Sequence, residues 1–261
     1  LNGRTYSKLP KAIQDGIDRR SITWISVLRE STENDEEAML LKQLVFERLN
    51  TGGVELSHQE IRNALFAGDF NDTLLELSRL PAHREAWGLP QYSSSEISGS
   101  PDYLNSSSFY KKMEDVEVIL RFFALRNATN YQKGMRGFLD LYMLKSRIFS
   151  GDDLNKLKSL YEETISSALE IFEDYIFRTY DPTKEKWIET RQKAFADAIL
   201  VGLSNNLDRI AFLKENKAKV IKATRELFST VEEGALTGRG NTKKDVLQRI
   251  DIVTNMLRTI E

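Results

Sequence analysis

Apolar residues follow two different periods along this 261-residue chain. In Ser21–Arg29, Ile22, Trp24, Ser26 and Leu28 alternate with Thr23, Ile25 and Val27, and the segment is rich in β-branched and aromatic side chains. That pattern predicts a strand buried on both faces. Just upstream, Leu9-Pro10 followed by Lys11–Ile17 predicts a short helix with proline at its first turn. From Asp35 the period lengthens. Leu41, Leu44, Val45 and Leu49 fall at i, i+3, i+4 and i+8, the spacing of one helical face. Further helices are predicted over Ser57–Phe66 and Phe70–Leu80.

Residues 91–108 break all periodicity, with eight serines, a glycine, a proline and no apolar cluster. They predict a long loop, mobile rather than packed, and a boundary between two domains. Beyond it the chain predicts helices over Lys111–Arg126, Gly137–Phe149, Asp152–Phe177, Lys184–Leu203, Leu207–Phe228 (broken near Asn216) and Lys243–Ile260. The expected class is α+β and predominantly helical. A sheet region with its associated helices would occupy 1–90, the loop 91–108, and a helical bundle 109–261.

Composition narrows the function. With 41% apolar and 29% charged residues the chain can bury a sizeable core, and a net charge of -2 argues against coating nucleic acid or membrane by bulk charge alone. The absence of cysteine excludes disulfides and thiolate chemistry, and two histidines are too few for an HNH-type nuclease centre within the chain. No apolar run approaches the roughly 18 residues that read as a membrane span, and no leader opens the chain, so a cytoplasmic location is expected. The opening Leu1-Asn2-Gly3-Arg4 resembles mid-domain sequence, which predicts a piece of a longer protein.

Three segments carry candidate chemistry. In FERLNTGG, residues 46–53, a helix ends on Gly52-Gly53. Glu47 is unfavourably placed against the helix dipole, Arg48 can fork onto phosphate, and the backbone of Thr51–Gly53 can form an anion-binding concavity. Pattern alone also fits a plain helix cap with a surface ion pair. Ser57 and Glu60 match an S-x-x-E capping box, whereas Arg62 and Asn63, one turn on, have no capping role. The third segment, TGRGNTKK at 237–244, sets Arg239, Lys243 and Lys244 beside glycines before a helix, although it lacks the order of a P-loop; Thr242 and Asp245 form a second capping pair. Phe172, Tyr175, Phe177, Tyr180 and Trp187 read as bundle core, Lys214–Lys222 as a solvated basic face, and His58 and His83 as residues without a catalytic role.

Residues 45–65, VFERLNTGGVELSHQEIRNAL, resemble the signature of the ParB/sulfiredoxin-related domains at the N-terminus of GmrSD-type, modification-dependent restriction endonucleases. Looser likeness continues through Val118–Phe123, Phe138–Met143 and the TGRGNTKK segment. The resemblance implies binding and hydrolysis of a nucleoside triphosphate with Mg2+, coupled to sensing modified DNA. It implies Glu47 as a catalytic residue and Arg48, Asn50, Thr51, Gly52, Gly53, Arg62 and Asn63 as nucleotide or DNA contacts, to which the glycine-flanked pattern at 237–244 adds Arg239, Lys243 and Lys244. The family's DGQQR motif and HNH domain do not occur here. The expected partners are therefore DNA, an N-terminal segment or second chain that completes the sheet and site, and an HNH nuclease domain or subunit. The alternative is a helical module that binds DNA or docks a subunit without chemistry.

Overall fold

The computed structural model describes residues 5–21, 34–49, 56–98, 104 and 106–261. The structure is 71% helical and, among the described residues, holds one two-stranded antiparallel sheet, which makes the class predominantly helical α+β. The predicted strand Ser21–Arg29, and with it the expected sheet remnant, lies outside the described residues apart from Ser21.

Two units are distinguished, Leu1–Lys42 and Gln43–Glu261. In the first, α1 spans Lys11–Asp18 after Pro10, where the missing proline N–H costs the helix nothing. The Tyr6 hydroxyl donates to the Asp18 carboxylate, and the Gln14 amide donates to the carbonyls of Tyr6 and Leu9. α2, Asp35–Leu49, forms where the 3.6-residue spacing predicts a helix and includes residues of both units, but Leu44 of the expected apolar face is exposed while Gln43 is buried.

The second unit runs from Gln43 through the segment where a domain boundary was expected. Its helices are α3 (His58–Leu65), α4 (Asp69–Leu77), α5 (Pro81–Trp87), α6 (Ser108–Lys111), α7 (Glu114–Leu125), α8 (Gly134–Lys145) and α9 (Gly151–Phe172). After the hairpin β1 (Arg178–Asp181) and β2 (Lys186–Arg191) come α10 (Lys193–Ser204), α11 (Ile210–Glu215), α12 (Lys217–Thr230) and α13 (Lys243–Thr259). Helices from both sides of 91–108 interlock: α4 and α5 pack on α9, and α3 packs on α7 and α8.

The core is organised around α7 and α10, which are apolar on nearly every side and therefore sit inside the bundle. Val116–Leu125 and Phe195–Ser204 are buried almost without interruption. α10 packs most extensively on α13, where Gly202 permits the close approach: a Cβ there would stand 3.1 Å from Val253 Cγ1.

Three expectations are corrected. Residues 91–108 do not all form an unpacked loop, because Leu104 is fully buried and Glu96 is bound by Arg84 and Tyr110. The helix predicted to Phe177 ends at Phe172, where Glu173 takes a positive φ of 48°. The helix predicted over Lys184–Leu203 is a strand up to Arg191 and helical only from Lys193. Asp181 explains the hairpin: its carboxylate accepts from the backbone N–H groups of Thr183 and Lys184, closing an Asx turn before Trp187 and Ile188 extend.

Candidate functional site

The corner after the FERLNTGG segment is anchored by local sequence. Ser57 Oγ accepts from Glu60 N at 3.2 Å while the Glu60 carboxylate accepts from Ser57 N at 2.7 Å, the reciprocal capping box expected of S-x-x-E. The same hydroxyl donates to the Lys112 carbonyl at 2.6 Å, tying α3 to the start of α7. One turn on, Arg62 enters the bundle. Its Nε donates to Asp140 at 2.7 Å, Nη1 to Glu117 at 3.1 Å and to Gln59 Oε1 at 3.2 Å, and Nη2 to the Arg136 carbonyl at 3.2 Å.

At 1% exposure, with four of its five N–H groups engaged inside the bundle, Arg62 is not presented to a phosphate. Its expected role as a nucleotide or DNA contact is corrected on that ground. Asn63 is half-buried, and its Oδ1 accepts from Asn71 Nδ2 at 2.8 Å. Arg48 is exposed in the last turn of α2. Asn50, Thr51, Gly52 and Gly53 lie outside the described residues, as does the Glu47 side chain. The structure therefore brings Arg62 and Asn63 onto the bundle and gives no geometry for the nucleotide and Mg2+ expected at the signature.

The 237–244 segment behaves differently. Thr242 and Asp245 form the expected capping box at the start of α13, which holds the Asp245 carboxyl below its usual range through its bonds to Thr242. Arg239, Lys243 and Lys244 are all exposed around that cap. Thr237, Gly238 and Asn241 line a cavity of about 570 Å³ between the hairpin, α7 and this loop. Trp87 and Phe109, stacked with ring centroids 4.8 Å apart, form part of its wall.

Cations dominate the buried polar groups around this cavity. Arg121 on α7 grips Asp197 on α10, with Nε 3.0 Å from Oδ1 and Nη2 on Oδ2. Burial works against the Arg121 charge, but Asp197 and Glu117 hold it above its usual range. Lys193 pairs with Glu114 at 3.1 Å. Arg191 lies against the bare backbone of Gly88, where a Cβ would come within 2.5 Å of Nη1. Burial lowers the pKa of Arg191, and the neighbouring Arg178 lowers it further. Arg249, 2% exposed, is lowered chiefly by burial.

Sequence reasoning missed this cluster. The only local signal was charge inside apolar helices, as at Arg121 and Asp197, because the walls come from segments more than a hundred residues apart.

His83, read from the sequence only as lacking a catalytic role, is fully buried, with Nδ1 2.7 Å from the Tyr161 hydroxyl. Burial, with Arg84 nearby, pushes its pKa down to about 3. Asp115, on α7, is pushed up to about 7 by burial. Of the aromatic set, Phe172 and Phe177 are core, while Tyr175 and Tyr180 pack on Trp187 at the half-buried hairpin. The basic stretch is spent on ion pairs, Lys214 with Glu170, Lys217 with Glu173 and Lys222 with Glu226.

Among the described residues no group of three histidines, cysteines or carboxylates stands close enough to hold a metal ion, and no helix is long and apolar enough to cross a membrane. No protein-family model, curated protein or solved structure gives a significant match to this chain.

Proposed function

We propose that this chain is part of an NTP-dependent, modification-sensing DNA restriction protein of antiphage defence, to which it contributes nucleotide- and DNA-binding residues. The FERLNTGG likeness motivates the nucleotide half of this reading. The observation that carries the DNA half is the exposure of Arg239, Lys243 and Lys244 around one capped helix start, where backbone N–H groups and cations favour phosphate together. Glu47, Arg48 and Asn50–Gly53 would be one half of a nucleotide site that a DGQQR-bearing segment or partner completes. Cleavage would belong to an HNH domain or subunit.

On this reading the chain alone does not turn over GTP or UTP. Phosphate release by the purified chain with Mg2+ should stay at background, and should rise when a DGQQR-bearing segment is supplied. Turnover by the chain alone at the rate of a complete relative would refute the split site.

A second reading, a DNA-binding or docking module without chemistry, is favoured by Arg62. That signature residue is bonded within the bundle and serves to hold α3 in place. DNA binding that survives Arg48→Ala, with no nucleotide binding in any combination, would select it.

A further inference from the structure

We propose that the cavity beside the hairpin binds a small phosphate-bearing ligand of about mononucleotide size, with Arg191 as its principal contact. This inference is independent of the restriction reading. It begins with an arrangement that is unfavourable in the protein by itself. Arg178 and Arg191 are directly paired across the hairpin, and like charges in that position destabilise a sheet. The Nε of each is buried without a hydrogen-bond partner. Glu189 lines the same cavity, yet no ion pair joins it to either arginine among the described residues.

A third arginine stands behind the Gly238 wall. Arg249 has Nη2 buried without a partner and Nη1 only 3.5 Å from the Ala235 carbonyl. Nη1 lies 3.7 Å from the point where a Cβ on Gly238 would stand. Gly238 has a φ of +85° and its Cβ would meet Ala194 at 2.8 Å, so this stretch of wall stays bare backbone. A planar guanidinium without a carboxylate partner, beside bare backbone, can fork onto two oxygens of a tetrahedral phosphate.

Size and shape limit the ligand. A volume of about 570 Å³ falls within the roughly 300–1,000 Å³ of small-molecule sites and is too small to admit a duplex. The Trp87–Phe109 pair supplies a flat apolar wall, against which a planar ring linked to phosphate can lie. Of the wall carboxylates, Glu114 is neutralised by Lys193, while Glu189 at the exposed edge opposes the anion.

Calorimetric titration of the whole chain with sodium pyrophosphate and with ATP, without Mg2+, tests the site. Saturable one-to-one binding of ATP is expected, with pyrophosphate weaker, and Arg191→Gln should reduce affinity about tenfold or more, the scale of one charge-assisted hydrogen bond. Arg191→Lys should fall between them. Because the substitution relieves repulsion with Arg178, ligand-free Arg191→Gln should melt at or above the wild-type temperature. Four results would each overturn the proposal: no saturable binding, binding indifferent to Arg191→Gln, binding of duplex DNA only, or a marked fall in melting temperature in both Arg191 variants.

Discussion

Arg62 shows how the same residue reads differently as sequence and as structure. In the sequence it is an arginine without a capping role beside a phosphate-suited turn; in the fold it is a buried bridge from α3 to Glu117 on α7 and Asp140 on α8. Removing it would take the near partner from two carboxylates that are 16% and 12% exposed, leaving Glu117 its 3.9 Å contacts with Arg121 and Lys193. Arg62→Ala should therefore cost about 3–5 kcal/mol in denaturant unfolding, the usual penalty for breaking a buried pair. A loss below about 1 kcal/mol, near that of a surface pair, would contradict the bridge.

Asp115 gives a second prediction at this scale. Its carboxyl is pushed up to about 7 in the fold by burial, with Arg84 opposing the shift, while in the unfolded chain it titrates near about 3.9. The folded state thus holds the proton more tightly. Its contribution is complete below about pH 4 and is lost as pH rises to about 7. Relative to wild type, Asp115→Asn should gain stability between pH 4 and pH 8, by on the order of 4 kcal/mol at most. His83 titrates with the opposite sign in an overlapping window, so the wild-type curve alone would hide the effect. Urea unfolding of both proteins at pH 4 and pH 8 measures it, and a gap that does not change with pH would refute the assignment.

Among elements, those built from local chemistry were legible. Of the three capping boxes among the described residues, Ser57 with Glu60 and Thr242 with Asp245 were read from a three-residue spacing and are formed, whereas Ser150 with Asp153 at the start of α9 was missed. Thr242→Ala should cost about 1 kcal/mol of stability. Ser57→Ala should cost more, because the same hydroxyl also donates to the Lys112 carbonyl. Equal losses in chemical denaturation would mean that the tie to α7 contributes nothing. The hairpin was not legible. Lys186–Arg191 reads locally as the beginning of a long helix, and only its pairing with Arg178–Asp181 makes it a strand. α5 was missed for a different reason: seven residues beginning at Pro81 are too few to establish a helical period. Glu96 shows the third kind of failure, since serine-rich sequence predicts a loop but does not reveal that one carboxylate will hold it to Arg84.

At the scale of the whole molecule, α7 and α10 were foreseeable as buried helices, because continuous apolar sequence has nowhere else to go. The cavity was not foreseeable. Its walls draw on Trp87, Arg121, Arg191 and Gly238, which only the packing of α5, α7, the hairpin and the 237–241 loop brings together. The same packing sorts the predicted contacts. Arg62 is committed to the interior, while Arg239, Lys243 and Lys244 remain on the surface.

That division makes DNA binding through the 239–244 corner the central claim. Its most direct test is fluorescence anisotropy with a labelled duplex across a salt series, comparing wild type with Lys243→Ala plus Lys244→Ala. The double variant should bind more weakly, with the slope of log affinity against log salt shallower by about 2, one for each phosphate contact removed. No measurable duplex binding by the wild-type chain, or an affinity and slope unchanged by the double substitution, would contradict the account.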